Sequence, residues 1–112
     1  MRLEVKGKNV EVTPSLREYA QAKLRKLEKR LAEQTQVEVE LSKEKNPSIQ
    51  ASEVAEGTIF TKGPTLRARE ASADIRASID QLVENLERQI KRYREKRTEE
   101  PRRRTTHHNN GA

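Results

Sequence analysis

The chemistry available to this chain must come from two histidines, a large stock of carboxylates and cations, and no cysteine at all. His107 and His108 are adjacent, lack the i, i+4 spacing of a helical metal pair, and have no acidic or thiol partner close by in sequence. They extend a basic tail, and no metal site or cofactor is expected. The carboxylates fall into no nucleophile elbow, phosphate-cradling glycine loop or paired acid/base motif, so the sequence reads as non-enzymatic.

The cations carry the signal. Lys plus Arg number 24 against 18 for Asp plus Glu, a formal charge of +6, which favours a polyanionic partner because cations brought near phosphates release condensed counterions. Between Asp74 and Glu87 the net charge is −3. From Arg88 to Arg97 it is +5, with Arg88, Lys91, Arg92, Arg94, Lys96 and Arg97 against Glu95 alone. Acids early and bases late on a helix complement its macrodipole, but six cations in this stretch exceed what a last turn needs. They ring the non-apolar sides of the helix, so this segment is the expected site of nucleic-acid contact. Arg17, Lys23, Arg25, Lys26, Lys29 and Arg30 add a second basic run, at a net +3 over its helix. Lys23 falls inside the apolar arc there, either as a stem that snorkels from the core edge or as a directed phosphate contact. Arg67 and Arg69 project opposite Leu66 and Ala68, as a solvated face also would.

Tyr19, Phe60 and Tyr93 are the aromatic residues, and periodicity assigns each wholly or partly to core. Stacking platforms for single-stranded bases are therefore not expected, and recognition should be of backbone and shape.

The elements that must position these residues follow from periodicity. Residues 2–6 alternate as a strand with Leu3 and Val5 inward, until Gly7 breaks the pattern. A helix starts at Thr13, as N-cap before Pro14, or at Ser15 through a capping box with Glu18. Leu16, Tyr19, Ala20, Leu24, Leu27 and Leu31 form its apolar arc. Residues 36–42 are a second strand, with Val37, Val39 and Leu41 inward. After turn residues around Asn46-Pro47-Ser48, a long third strand runs from Ile49 to Phe60. Its parity changes between Ala51 and Val54, which predicts a bulge near Glu53 or Gly57. Thr65 to Ala71 is a fourth strand. Ile75, Ile79, Leu82, Val83, Leu86, Ile90 and Tyr93 mark a long helix from about Asp74 to Arg97. Residues 98–112, without apolar periodicity, read as a disordered basic tail or linker.

The expected fold is therefore α+β, in the order β-α-β-β-β-α, with both helices packed on one face of a four-stranded sheet over residues 1–97. Hydrophobic residues make up 31% of the chain, which allows one domain with a small core. The charged N-terminus, the lack of any apolar run near the roughly 20 residues that cross a bilayer, and the missing cysteines point to a soluble cytoplasmic protein.

Residues 2–13 (RLEVKGKNVEVT), Leu16-Arg17-Glu18-Tyr19 and 22–28 (AKLRKLE), followed by Leu66-Arg67-Ala68, Asp74, 77–80 (ASID) and 86–90 (LERQI), resemble the ribosome hibernation promoting factors of bacteria over residues 1 to about 97. The resemblance implies a fold similar to double-stranded-RNA-binding domains. It also implies binding to rRNA in the decoding groove of the small ribosomal subunit, in competition with mRNA and A- and P-site tRNA, so that initiation is inhibited under stress or in stationary phase. Lys23, Lys26, Arg88, Arg92, Arg94 and Lys96 carry over as RNA-binding positions. Arg76 stands where the family usually has Tyr, which removes a stacking group and adds a cation for phosphate. Long members of the family continue through a linker into a dimerising domain that pairs ribosomes, and short ones stop after the second helix. This chain reads either as a short factor or as part of a long one. Two other readings fit the same residues: a general double-stranded-RNA-binding or RNA-chaperone module, and, less well, a homodimer formed through an open sheet edge.

Overall fold

The computed structural model describes residues 1–46 and 50–106. Its elements are β1 (Arg2–Lys8), α1 (Pro14–Leu24), a 3₁₀ segment (Arg25–Arg30), β2 (Gln36–Lys43), β3 (Glu53–Phe60), β4 (Thr65–Ser72) and α2 (Ile75–Thr106). The strands form one sheet in the order β1-β2-β3-β4, with β1 parallel to β2 and the other pairs antiparallel. The expected β-α-β-β-β-α order and its helices on one face are both present.

Thr13 is the cap that starts α1. Its Oγ1 accepts from the Leu16 N–H at 3.2 Å, its carbonyl accepts from the Arg17 N–H at 2.9 Å, and Pro14 follows at the first helical position, where no N–H is needed. After Leu24 the helix tightens. A 3₁₀ turn repeats every three residues, so Leu24 and Leu27 fall one above the other, and both are fully buried.

Gly7 does not end β1, as the broken pattern suggested. It lies on the helix-facing side, where a β-carbon would collide with the Val10 carbonyl and the Val12 side chain, so only glycine lets the following loop cross there. Asn9 in that loop takes φ of 59°, a left-handed conformation that Asn tolerates.

The predicted bulge in β3 is absent, because the β2–β3 and β3–β4 registers run without interruption. The inward residues are Ala55, Gly57 and Ile59, paired with Leu41, Val39 and Val37. The strand begins at Glu53, Gln50 to Ser52 lying outside it, and the expected start at Ile49 lies outside the described residues. Phe60 points away from the helices and is 41% exposed, so its assignment to the core was wrong.

The core is one cluster in which Val5, Val37, Val39, Leu41 and Ile59 of the sheet meet Leu24 and Leu27 on one side and Ile79, Leu82, Leu86 and Ile90 on the other. A β-carbon on Gly57 would lie 2.9 Å from Leu86 Cδ1, so α2 sits almost on the β3 backbone.

Asp74 caps α2: its Oδ1 accepts from the Arg76 N–H at 3.3 Å and its carbonyl from the Ser78 N–H at 3.0 Å. Ser78, fully buried, donates from Oγ to the Glu53 carbonyl at 2.7 Å and ties the start of α2 to β3. The helix does not stop near Arg97. It continues to Thr106 with Pro101 inside it, so the expectation of an irregular segment from Thr98 is corrected as far as Thr106. Glu and Arg are good helix formers, and every added residue except Pro101, which has no N–H to donate, can gain a hydrogen bond on the existing helix. His107, His108 and the rest of 107–112 lie outside the described residues.

Candidate nucleic-acid interface

The first helix and α2 lie side by side and run the same way. Tyr19 meets Asp80 at one end, and Arg30 meets Glu87 further along. In the notch between them the Tyr19 hydroxyl donates to Asp80 Oδ1 at 2.8 Å. The Lys23 ammonium lies 5.5 Å from the Tyr19 ring centre and 3.6 Å from Asp80, and the Arg76 guanidinium lies 5.2 Å from the same ring centre. The second arm of Arg76 donates to Ser15 Oγ at 3.1 Å. Tyr19 is thus flanked by two cations and anchored to an acid. The hydrogen bond to Asp80, then burial, then the Asp80 charge hold its phenol pKa above the ordinary 10.0.

This arrangement gives each sequence-derived site residue a place. Lys23 and Arg76 come together in the notch, where Lys23 shares its charge with Asp80 and Arg76 engages Tyr19 and Ser15. Lys26 is exposed on the 3₁₀ segment. Arg88, Lys91, Arg92 and Arg94 are exposed on α2, and Arg88, Lys91 and Arg92 form no ion pair among the described residues. Lys96 and Arg97 belong to the helix by their backbone, and their side chains lie outside the described residues. Periodicity missed Tyr19 and Asp80 as members of the notch. Tyr19 reads as core because it shares the arc of Leu16 and Leu24, and the only available hint was that its hydroxyl needs a partner wherever the ring is covered.

The free face of the sheet is different. Alternation places Glu38, Glu40 and Glu56 on its two middle strands, with Arg67 and Arg69 on one edge strand and Glu4 and Lys6 on the other. Arg69 is drawn to Glu44 at 3.7 Å. That face presents acids at its centre, whereas the later half of α2 presents cations. No group of acids and histidines that could hold a metal occurs among the described residues, and no helix there is long and apolar enough to cross a membrane.

Residues 3–98 match the family model described as sigma 54 modulation protein / S30EA ribosomal protein. The chain is similar to a ribosome hibernation promotion factor of Picosynechococcus sp., at 37% identity over 97 residues, covering 86% of this chain and 50% of that one. It is similar to the ribosome hibernation promoting factor of Escherichia coli K12 at 34% over 96 residues, covering 86% of this chain and 96% of the other. It therefore spans about half the length of the cyanobacterial relative and nearly all of the enterobacterial one. In structure it is similar to the N-terminal domain of Thermus thermophilus protein Y, with a TM-score of 0.69, 31% identity, and coverage of 83% of this chain and 99% of that one. A ribosomal subunit interface protein of Coxiella burnetii, at 21% identity and a TM-score of 0.69, shares the fold over 84% of this chain and 98% of its own. With its fold, its basic helix and this match over most of its length, the chain belongs to the sigma 54 modulation protein / S30EA ribosomal protein family.

Proposed function

We propose that this chain is a ribosome hibernation factor that binds rRNA of the small ribosomal subunit through α1, the 3₁₀ segment and the later half of α2. The observation that carries the reading is the set of exposed cations Arg88, Lys91, Arg92 and Arg94, on a helix whose opposite face is locked to the sheet by Leu86 and Ile90. Rigid cations on one element suit the fixed phosphate spacing of folded RNA. The bound site is the decoding groove, where the protein competes with mRNA and with A- and P-site tRNA and so inhibits initiation. Lys23, Lys26, Arg76, Lys96 and Arg97 extend the same surface. Such a factor works in the cytoplasm with the ribosomes it stores. The binding unit is residues 1–97, and a dimerising domain on a longer chain would let bound ribosomes pair.

The test is co-sedimentation with purified small subunits at two salt concentrations, with and without mRNA and initiator tRNA. Saturable binding displaced by those ligands is expected. Binding they leave untouched, with equal affinity for any RNA duplex, would make the protein a general duplex-binding module instead.

A further inference from the structure

An open cleft of about 410 Å³ lies where the end of the 3₁₀ segment, the β3–β4 turn and the basic half of α2 meet. That size is within the range of roughly 300–1,000 Å³ found for small-ligand sites. Arg30, Lys62 and Arg94 bring three cations to its lining, which contains no carboxylate among the described residues, and Leu31 and Tyr93 add apolar surface. Its walls are fixed. The Thr61 hydroxyl donates to the Pro64 carbonyl at 2.5 Å and accepts from the Gly63 N–H at 3.0 Å, which sets the turn. The turn closes on α2, because a β-carbon on Gly63 would lie 3.3 Å from the Tyr93 hydroxyl, and Arg30 is steadied from outside the cleft by Glu87 at 3.9 Å.

Cations alone would serve a phosphate as well on the open side of α2. A concavity that adds an aromatic ring and a leucine to three cations suits a group with one flat apolar part and one anionic part. We propose that this cleft binds a single nucleotide, its base against Tyr93 and Leu31 and its phosphate among Arg30, Lys62 and Arg94. The nucleotide is either an unstacked residue of an RNA strand or a free nucleoside monophosphate. The RNA source rests on the ribosome-binding reading above; the cleft's chemistry does not. It departs from recognition by backbone and shape alone, since it offers one base a surface.

The experiment is an amide-shift titration of the intact chain with 5′-AMP and, separately, with inorganic phosphate, followed by small-subunit retention of the wild type and of Lys62→Ala. Lys62 is exposed on a turn, so its removal leaves the core untouched. Saturable shifts at Leu31, Lys62 and Tyr93 are expected with 5′-AMP, much weaker ones with phosphate, and a loss of about tenfold in 5′-AMP affinity in Lys62→Ala. A parallel fall in retention would identify RNA as the source. Unchanged retention, or wild type that is not retained while 5′-AMP still saturates, would identify the free nucleotide. Shifts with 5′-AMP no larger than with phosphate, or an unaffected Lys62→Ala, would overturn the proposal.

Discussion

The two halves of α2 do opposite work with the same kind of residue. In the first half charged groups engage one another across the surface between the helices: Asp80 holds Tyr19 and Lys23, Glu87 holds Arg30, and Arg76 leans on Tyr19 and Ser15. In the second half Arg88, Lys91 and Arg92 face solvent without an acidic partner among the described residues. The helix is a bracket, one half fastening it to α1 and the other presenting charge. The contrast teaches that a net charge summed over a helix says little about function until the acids already engaged are set aside.

The apolar side of the bracket should give the largest effect when broken. Leu86 is fully buried against β3, and Leu86→Ala should destabilise the fold by about 2–5 kcal/mol, read as a lower urea midpoint with an unchanged slope. A cost well under 1 kcal/mol would mean that α2 is not held to the sheet as described. Next comes the presenting half. Changing Arg88, Lys91, Arg92 and Arg94 together to Ala should leave the circular dichroism and urea midpoint nearly unchanged while small-subunit affinity falls by about a hundredfold or more at low salt. The slope of log affinity against log salt should flatten by roughly four. Equal retention of this variant and the wild type would move the interface elsewhere.

Gly57 sharpens the comparison from the sheet side. Gly57→Val would place methyl groups where Leu86 and Leu82 already lie within 2.9 and 3.3 Å of the first added carbon, so a loss of about 1–3 kcal/mol is expected even though Val favours strands. A stabilised Gly57→Val would show that α2 has room to retreat.

That glycine also explains where the sequence misled. The correct inward parity of β3 is Ala55, Gly57, Ile59, but two of those residues are too small to register as hydrophobic while Val54 and Phe60 register strongly on the wrong parity. The apparent phase change called for a bulge that close packing of a helix makes unnecessary. Strand and helix order was legible because Val37-Val39-Leu41 and Ile79-Leu82-Leu86-Ile90 repeat at clean periods of two and of three to four. The cations of α2 were legible because six of them fall between Arg88 and Arg97 against Glu95 alone. Tyr19 and Asp80 were not, because 61 positions separate them and their pairing exists only once α1 and α2 lie on the same sheet.

The smallest effect is the one that isolates the fastening notch from the rest. Below pH 10 the Tyr19 phenol is neutral and donates to the Asp80 carboxylate; once ionised it would face that carboxylate as a second anion. Because the folded pKa lies above the unfolded value of 10.0, the stabilisation is fully present below that value and is lost as pH rises through the folded pKa. The chain has two tyrosines, so Tyr93→Phe leaves Tyr19 as the sole phenol, and its ultraviolet titration should have a midpoint above 10.0 that returns toward 10.0 in urea. Adding Asp80→Asn should bring the folded midpoint down, because the acceptor that disfavours the phenolate has lost its charge, although Arg76 remains beside the ring. If the midpoint stays where it was, burial and not Asp80 sets the phenol, and the hydrogen bond between the two helices is not what fastens the first half of α2.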